Sequence, residues 1–178
     1  MKNLLIVGGT GRNVGKTEFV CRLIAKLSLQ TDIYALKVSA IHPDEEIYHG
    51  DHGGDCSSLG QLAEESRQVG NKDTIRMLRA GAKRVFYLRS DGSGIEKGFQ
   101  EFLNTIPEEA AIICESNSLG DVVDPALLIV VKAAAGQVKP RAIAQLERAD
   151  LVIISDGQSG FPQLEKIDYD TVAGWYLK

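Results

Sequence analysis

GGTGRNVGKTEFV, residues 8–20, follows the apolar run Leu4-Leu5-Ile6-Val7 without a break. How this stretch is read decides the fold. Gly8, Gly9 and Gly11 precede a Gly15-Lys16-Thr17 triplet, and apolar residues at helical spacing come next. The stretch departs from the pattern G-x-x-x-x-G-K-[ST] in one place. Thr10 stands where the first Gly should be, and Gly9 comes one residue early.

A loop that leaves a strand and enters a helix directs consecutive backbone N–H groups at one point, and the helix N-terminus adds partial positive charge there. Glycines allow positive φ and leave no Cβ in the way of an anion. Residues 8–20 therefore predict a phosphate loop. Gly11, Arg12, Asn13, Val14, Gly15, Lys16, Thr17 and Glu18 are the residues expected around the phosphates of ATP or GTP. In such a motif the lysine reaches the β- and γ-phosphates and the hydroxyl ligates Mg²⁺. Here those are Lys16 and Thr17.

The rest of the chain is consistent with an ordinary globular domain. Its 178 residues suit one domain, with 44% hydrophobic residues and a net charge of −4. Neither a nucleic-acid surface nor a membrane surface is expected from that balance. No apolar run approaches the ~20 residues of a membrane span. Met1-Lys2-Asn3 leads straight into a strand, so no signal peptide is expected. The 3 cysteines, Cys21, Cys56 and Cys114, are odd in number and widely spaced, which predicts a reduced, cytoplasmic protein.

Strands and helices alternate along the sequence. Strands are predicted at residues 2–8, 32–38, 83–89, 110–114, 127–131 and 149–154. Several are continuous apolar runs, as strands buried on both faces are. Helices fit 16–29, 73–80, 95–105 and 140–148. In the first, Phe19, Val20, Leu23, Ile24 and Leu27 share one face; Pro107 closes the third, and Pro140 suits the first turn of the last. The alternation predicts an α/β fold with a mostly parallel sheet flanked by helices, three layers in all. Ligands in such sheets bind outside the carboxyl ends of the strands. Functional residues should therefore follow strands.

Lys37 lies near the end of the second strand and Glu115 directly follows the run Ala110 to Cys114. A carboxylate in that place holds Mg²⁺ directly or through water, so Thr17 and Glu115 are the expected metal ligands. Lys16, Lys37 and Glu115 form the expected catalytic set. The alternatives are a surface lysine at a strand end and a carboxylate that caps the amides of Asn117 or Ser118. Residues 42–56, HPDEEIYHGDHGGDC, hold His42, His49 and His52, all 3 histidines of the chain, interleaved with Asp51, Asp55 and Cys56. A long Gly-rich loop in a compact domain is usually functional. The expectation is a polar lid over the site. Zn²⁺ or Ni²⁺ binding is the alternative, although neither Cys-x-x-Cys nor His-Glu-x-x-His is present.

GTGRNVGKT resembles the phosphate loop of dethiobiotin synthetases, which run Gly-Thr, several variable residues, then Val-Gly-Lys-Thr. The resemblance accounts for the early Gly9. Leu36-Lys37, His42, Lys72-Asp73-Thr74, Arg76 and Ala80-Gly81-Ala82 resemble the molybdopterin-guanine dinucleotide biosynthesis protein B family. Together these motifs, across residues 2–131, place the chain in likeness to P-loop NTPases, a group that also includes nickel-insertion GTPases. A polar insertion at about 43–70 separates His42 from Lys72. Glu115 is followed by Ser-Asn-Ser where both families have Gly, and Ile154-Ser155-Asp156-Gly157 stands where a guanine-reading Asn-Lys-x-Asp would be. The base is therefore open between ATP and GTP.

The resemblance implies Mg²⁺-dependent nucleotide binding and slow hydrolysis by an accessory protein of cofactor biosynthesis, with a small-molecule or cofactor substrate and a possible homodimer. An ATP-dependent synthetase or kinase of the dethiobiotin synthetase type is the first alternative. A metal-delivery GTPase that uses the His/Cys loop is the second.

Overall fold

Residues 1–40, 61–90, 93–135, 138, 140–158 and 160–178 are described by the computed structural model. The apolar run behind the Gly-rich loop forms β1 (Leu4–Gly9), buried at every position. It is an interior strand of the sheet. The chain then forms α1 (Lys16–Leu27), β2 (Ile33–Ala40), β3 (Gln61–Glu64), α2 (Asp73–Arg79), β4 (Arg84–Ser90), α3 (Ile95–Leu103), β5 (Ala111–Glu115), β6 (Leu127–Ala133), α4 (Pro140–Arg148) and β7 (Leu151–Ser155). A hairpin of β8 (Ile167–Asp170) and β9 (Gly174–Leu177) ends it.

Seven strands form one sheet in the order β3-β4-β2-β5-β1-β6-β7. Every neighbouring pair is parallel except β3 with β4. The chain moves from β1 out to β2 and β4, and β5 then returns between β1 and β2. Parallel strands need covered faces, and alternate side chains supply two cores. On one face Leu5, Val7, Ile33, Ala35, Val85, Ile113 and Ile129 meet Phe19, Val20, Leu23, Ile24 and Leu27 of α1 and Met77 of α2. On the other, Leu4, Ile6, Leu36, Phe86, Leu88 and Ile112 meet Ile95, Phe99 and Phe102 of α3. The five apolar residues predicted on one face of α1 are its buried face. The fold is α/β, with a mostly parallel sheet flanked by helices.

Each predicted strand and helix has its counterpart, with ends shifted by up to two residues. Three strands were not predicted. β3 (QLAE) is a four-residue edge strand with a polar, half-exposed pattern. It lies inside the stretch expected as a polar insertion. Its backbone pairs with the free edge of β4, which its own side chains do not announce. β8 and β9 are four residues each and pair only with one another. The proposed lid at 42–60 with its histidines and Cys56 lies outside the described residues. Among the described residues, no helix is long and apolar enough to cross a membrane.

Candidate functional site

The site is built where β1 gives way to α1. Asn13 (φ 55°) and Gly15 (φ 94°) are both left-handed, so the chain between Thr10 and Lys16 reverses its handedness twice. Loops of that kind turn successive N–H groups into one concavity suited to an anion. α1 then opens at Gly15, where no side chain among the described residues caps its first turn. Its first amides are thus left without intrahelical acceptors beside the loop. The first helical bond runs from Phe19 N–H to Gly15 O at 2.9 Å. Lys16 folds back over the loop and its Nζ donates to Gly11 O at 2.8 Å.

The early glycine has a steric reason. A Cβ on Gly9 would lie 2.7 Å from Lys16 Cδ and 2.9 Å from Val14 Cγ2, so the loop closes only over a bare α-carbon. A Cβ on Gly11 would meet nothing closer than Val14 Cγ1 at 3.5 Å, an ordinary contact. Position 9, not position 10 or 11, is where this loop requires glycine. Gly15 is constrained twice, by its φ and by Ser155 Oγ at 2.9 Å from a Cβ built there.

Parallel pairing places the other predicted residues beside the loop. Val7 and Lys37 both stand in register with Glu115, on either side of it. Glu115 is 4% exposed. Its Oε2 accepts from Thr17 Oγ1 at 2.8 Å and its Oε1 from Lys37 Nζ at 2.9 Å. A buried carboxylate is tolerable only when charge and hydrogen bonds compensate it, and here both oxygens are matched. Glu115 therefore does not cap the next turn. Ser116 Oγ does so instead, accepting from Ser118 N–H at 3.0 Å and Leu119 N–H at 2.9 Å. Nor is Lys37 a surface lysine: its side chain is 19% exposed.

Asp73, which opens α2, is the second acceptor for the Lys37 ammonium. Burial is the largest influence on Lys37 and lowers its pKa, but the Glu115 and Asp73 carboxylates together outweigh it and hold the ammonium above its ordinary value. An ion-paired chain continues outward. Arg76 lies 4.0 Å from Asp73 and 2.6 Å from Glu18, and Glu18 also accepts from Arg22 at 2.8 Å. The Arg22 hydrogen bond, with further help from Arg76, holds the Glu18 carboxyl below its usual range. The Glu18 side chain is thus engaged with arginines. Cys21 lies behind this chain, and burial pushes its thiol up to about 11.

Two residues at the site escaped the sequence reading of roles. Asp73 had been noted only as part of a resemblance, and its partner lies 36 positions away. Asn117 accepts the Gly9 N–H on its Oδ1 at 2.8 Å, and its backbone carbonyl accepts from Gln145 of α4. It anchors the first turn of the loop to the end of β5. The Ser116-Asn117-Ser118 run directly after Glu115, at the carboxyl end of a strand, was the available signal.

Glu115 and Asp73 flank the Lys37 ammonium and Thr17 is bonded to Glu115, so three hard oxygen donors of the kind Mg²⁺ takes lie close together. Among the described residues no three His, Cys, Asp or Glu side chains gather as a metal cage. Mg²⁺ seldom needs one, because it keeps waters and takes phosphate oxygens as ligands. Comparison with known proteins returns no match: no family model, no curated protein and no solved structure matches the chain.

Proposed function

We propose that this chain is a P-loop nucleotide-binding protein that holds ATP or GTP with Mg²⁺ and hydrolyses it slowly, as an accessory protein of cofactor biosynthesis. One observation carries the reading. Thr17 of the Gly-Lys-Thr triplet donates directly to Glu115 at the end of the adjacent parallel strand, with Lys37 on the other oxygen of that carboxylate. The resemblance to molybdopterin-guanine dinucleotide biosynthesis protein B supports the accessory role.

The loop amides and the Lys16 ammonium would bind the phosphate chain, and Thr17, Glu115 and Asp73 would hold Mg²⁺. The ion, when bound, neutralises charge on the β- and γ-phosphate oxygens. In hydrolysis a water oxygen bonds to the γ-phosphorus and the bond to the bridging oxygen breaks, releasing a nucleoside diphosphate and inorganic phosphate. Lys16 and Lys37 would steady the negative charge on the transferred group. The second lysine also favours another reading, an ATP-dependent synthetase or kinase like dethiobiotin synthetase, in which an acceptor replaces water.

The test is a thermal-shift screen of ATP, GTP and non-hydrolysable analogues with Mg²⁺, since a bound nucleotide stabilises by mass action. Wild type should gain stability with one base in preference, and Lys16→Ala should lose the gain while it remains folded. Equal nucleotide affinity in Lys16→Ala and wild type would overturn the proposal. Product release that depends on one added metabolite would move the function to the synthetase.

A further inference from the structure

Lys37 occupies both carboxylates that a divalent cation at this site would use. Its ammonium donates to Glu115 Oε1 at 2.9 Å and to Asp73, while Thr17 Oγ1 donates to Glu115 Oε2 at 2.8 Å. Two carboxylates are therefore gathered around a positive charge that belongs to the protein itself, with Thr17 on the other oxygen of Glu115. Glu115 is 4% exposed, so its ionised form requires a counter-charge. An ammonium and a divalent cation compete for one pair of carboxylates, because their repulsion is weakly screened in a partly buried site.

We propose that Lys37 is an exchangeable counter-cation, holding Glu115 and Asp73 in place until a divalent cation takes them and then turning its ammonium toward the phosphates at the Gly-rich loop. The exchange itself requires only Thr17, Lys37, Asp73 and Glu115. The final turn of the ammonium rests on the phosphate-loop reading given above.

Geometry permits the movement. Lys37 is on β2, one strand from Glu115 on β5 and two strands from β1, about 10 Å in all at the usual strand spacing. All of these residues point to the face that carries α1. The Lys37 α-carbon is fixed in the sheet by pairing on both sides, to Glu115 and to Tyr87. Its flexible four-carbon stem is free to pivot about that point while the backbone stays still. Asp73 has Arg76 at 4.0 Å and Glu115 has its bond from Thr17, so each carboxylate keeps a partner besides the ammonium.

The exchange has a functional consequence. The resident ammonium lowers the affinity of the nucleotide-free protein for a divalent cation alone. Once cation and nucleotide are both present, the released charge acts at the phosphates, so metal and nucleotide are taken up together. A pair that stays formed would also lower cation affinity, but it would keep the Lys37 ammonium on its carboxylates whether or not the cation is bound.

Mn²⁺ is the probe, added to nucleotide-free protein and followed by loss of the free-ion electron paramagnetic resonance signal. Lys37→Met should bind Mn²⁺ at least about tenfold more tightly than wild type, because it removes a positive charge from beside the ligands. Equal or weaker binding by Lys37→Met overturns the proposal. Should that variant fail to fold, wild type still decides. Acetylation of Lys37 by acetic anhydride, read by mass spectrometry, should accelerate several-fold as Mg²⁺ is raised in the absence of nucleotide. An unchanged acetylation rate overturns the exchange. Failure of the phosphate-loop reading is seen separately, as nucleotide affinity that Lys16→Ala leaves intact, and it does not alter either cation experiment.

Discussion

Gly9 and Gly11 look alike in the sequence but differ in what a side chain would meet. At position 9 a methyl group falls 2.7 Å from Lys16 Cδ, within a loop whose Val14 is buried; at position 11 the nearest atom is 3.5 Å away. Gly9→Ala should therefore destabilise by about 1–3 kcal/mol, the usual range for overpacking. It should also displace Lys16 and weaken nucleotide binding. Gly11→Ala should stay within about 0.5 kcal/mol of wild type, as substitutions without a clash do. Urea denaturation of the two variants checks this, and equal midpoints would show that the loop does not close as described. The same scale shows why Thr10 is admissible in place of the expected glycine: the constraint has moved one residue back with the side chain of Lys16.

At the scale of the element, the β8–β9 hairpin shows how a short piece without a core of its own is held. Trp175 donates its backbone N–H to Lys2 O at 3.0 Å and its indole N–H to Asn3 O at 2.8 Å, and its ring is packed with Tyr169 at 5.0 Å between centroids. Gly174 makes that approach possible. It has φ 84°, and a Cβ there would lie 2.2 Å from Lys2 O. Gly174→Ala should lift the hairpin off the start of β1 and cost about 2 kcal/mol or more, from strain and a lost docking surface together. Trp175 is the only tryptophan of the chain, so its fluorescence reports the docking directly. The emission of Gly174→Ala should shift to the red relative to wild type under native conditions. An unshifted spectrum would mean that the indole remains buried without the glycine. The hairpin escaped the sequence reading because IDYD and GWYL are too short to show a period. α1, by contrast, was legible, because 12 residues complete three turns of one apolar stripe.

For the whole molecule, the distribution of ion pairs predicts the pH range of stability. Burial raises the pKa of Glu65, but its bonds from Arg67 and Thr74 outweigh this and hold the carboxyl below its ordinary 4.5. A lowered carboxylate contributes stability above its unfolded value, and that contribution is lost as pH falls through the folded value. Lys37 has the opposite sign. Its folded pKa is raised, so its contribution is complete below the ordinary 10.5 and is lost as pH rises through the folded value. The melting temperature of wild type should be level across the neutral range and fall at both ends. Lys37→Met should show a lower plateau and a shallower alkaline fall, read by calorimetry from pH 4 to 11. The plateau drop should be about 3 kcal/mol, because one partner of a largely buried pair has been removed. An alkaline limb identical to wild type would mean that Lys37 is not ion-paired in solution.

What the sequence by itself determined is what neighbouring residues decide among themselves. The Gly-rich loop lies between an apolar strand and an amphipathic helix within residues 4–27, and steric and hydrogen-bonding rules act over that short span. The strands announce themselves as apolar runs because parallel strands here are covered on both faces. Placement toward the carboxyl end of a strand was enough to single out Lys37 and Glu115. Only the tertiary structure decided that β5 returns between β1 and β2, and so brought Thr17 to Glu115 across 98 positions and Lys37 to Glu115 across 78. It also decided that Asp73 shares the same ammonium and that Asn117 closes the first turn of the loop. Periodicity states which face of a strand is buried but not which strand lies beside it. Strand order is chosen by how two whole cores pack, and that choice gathers these side chains at one point.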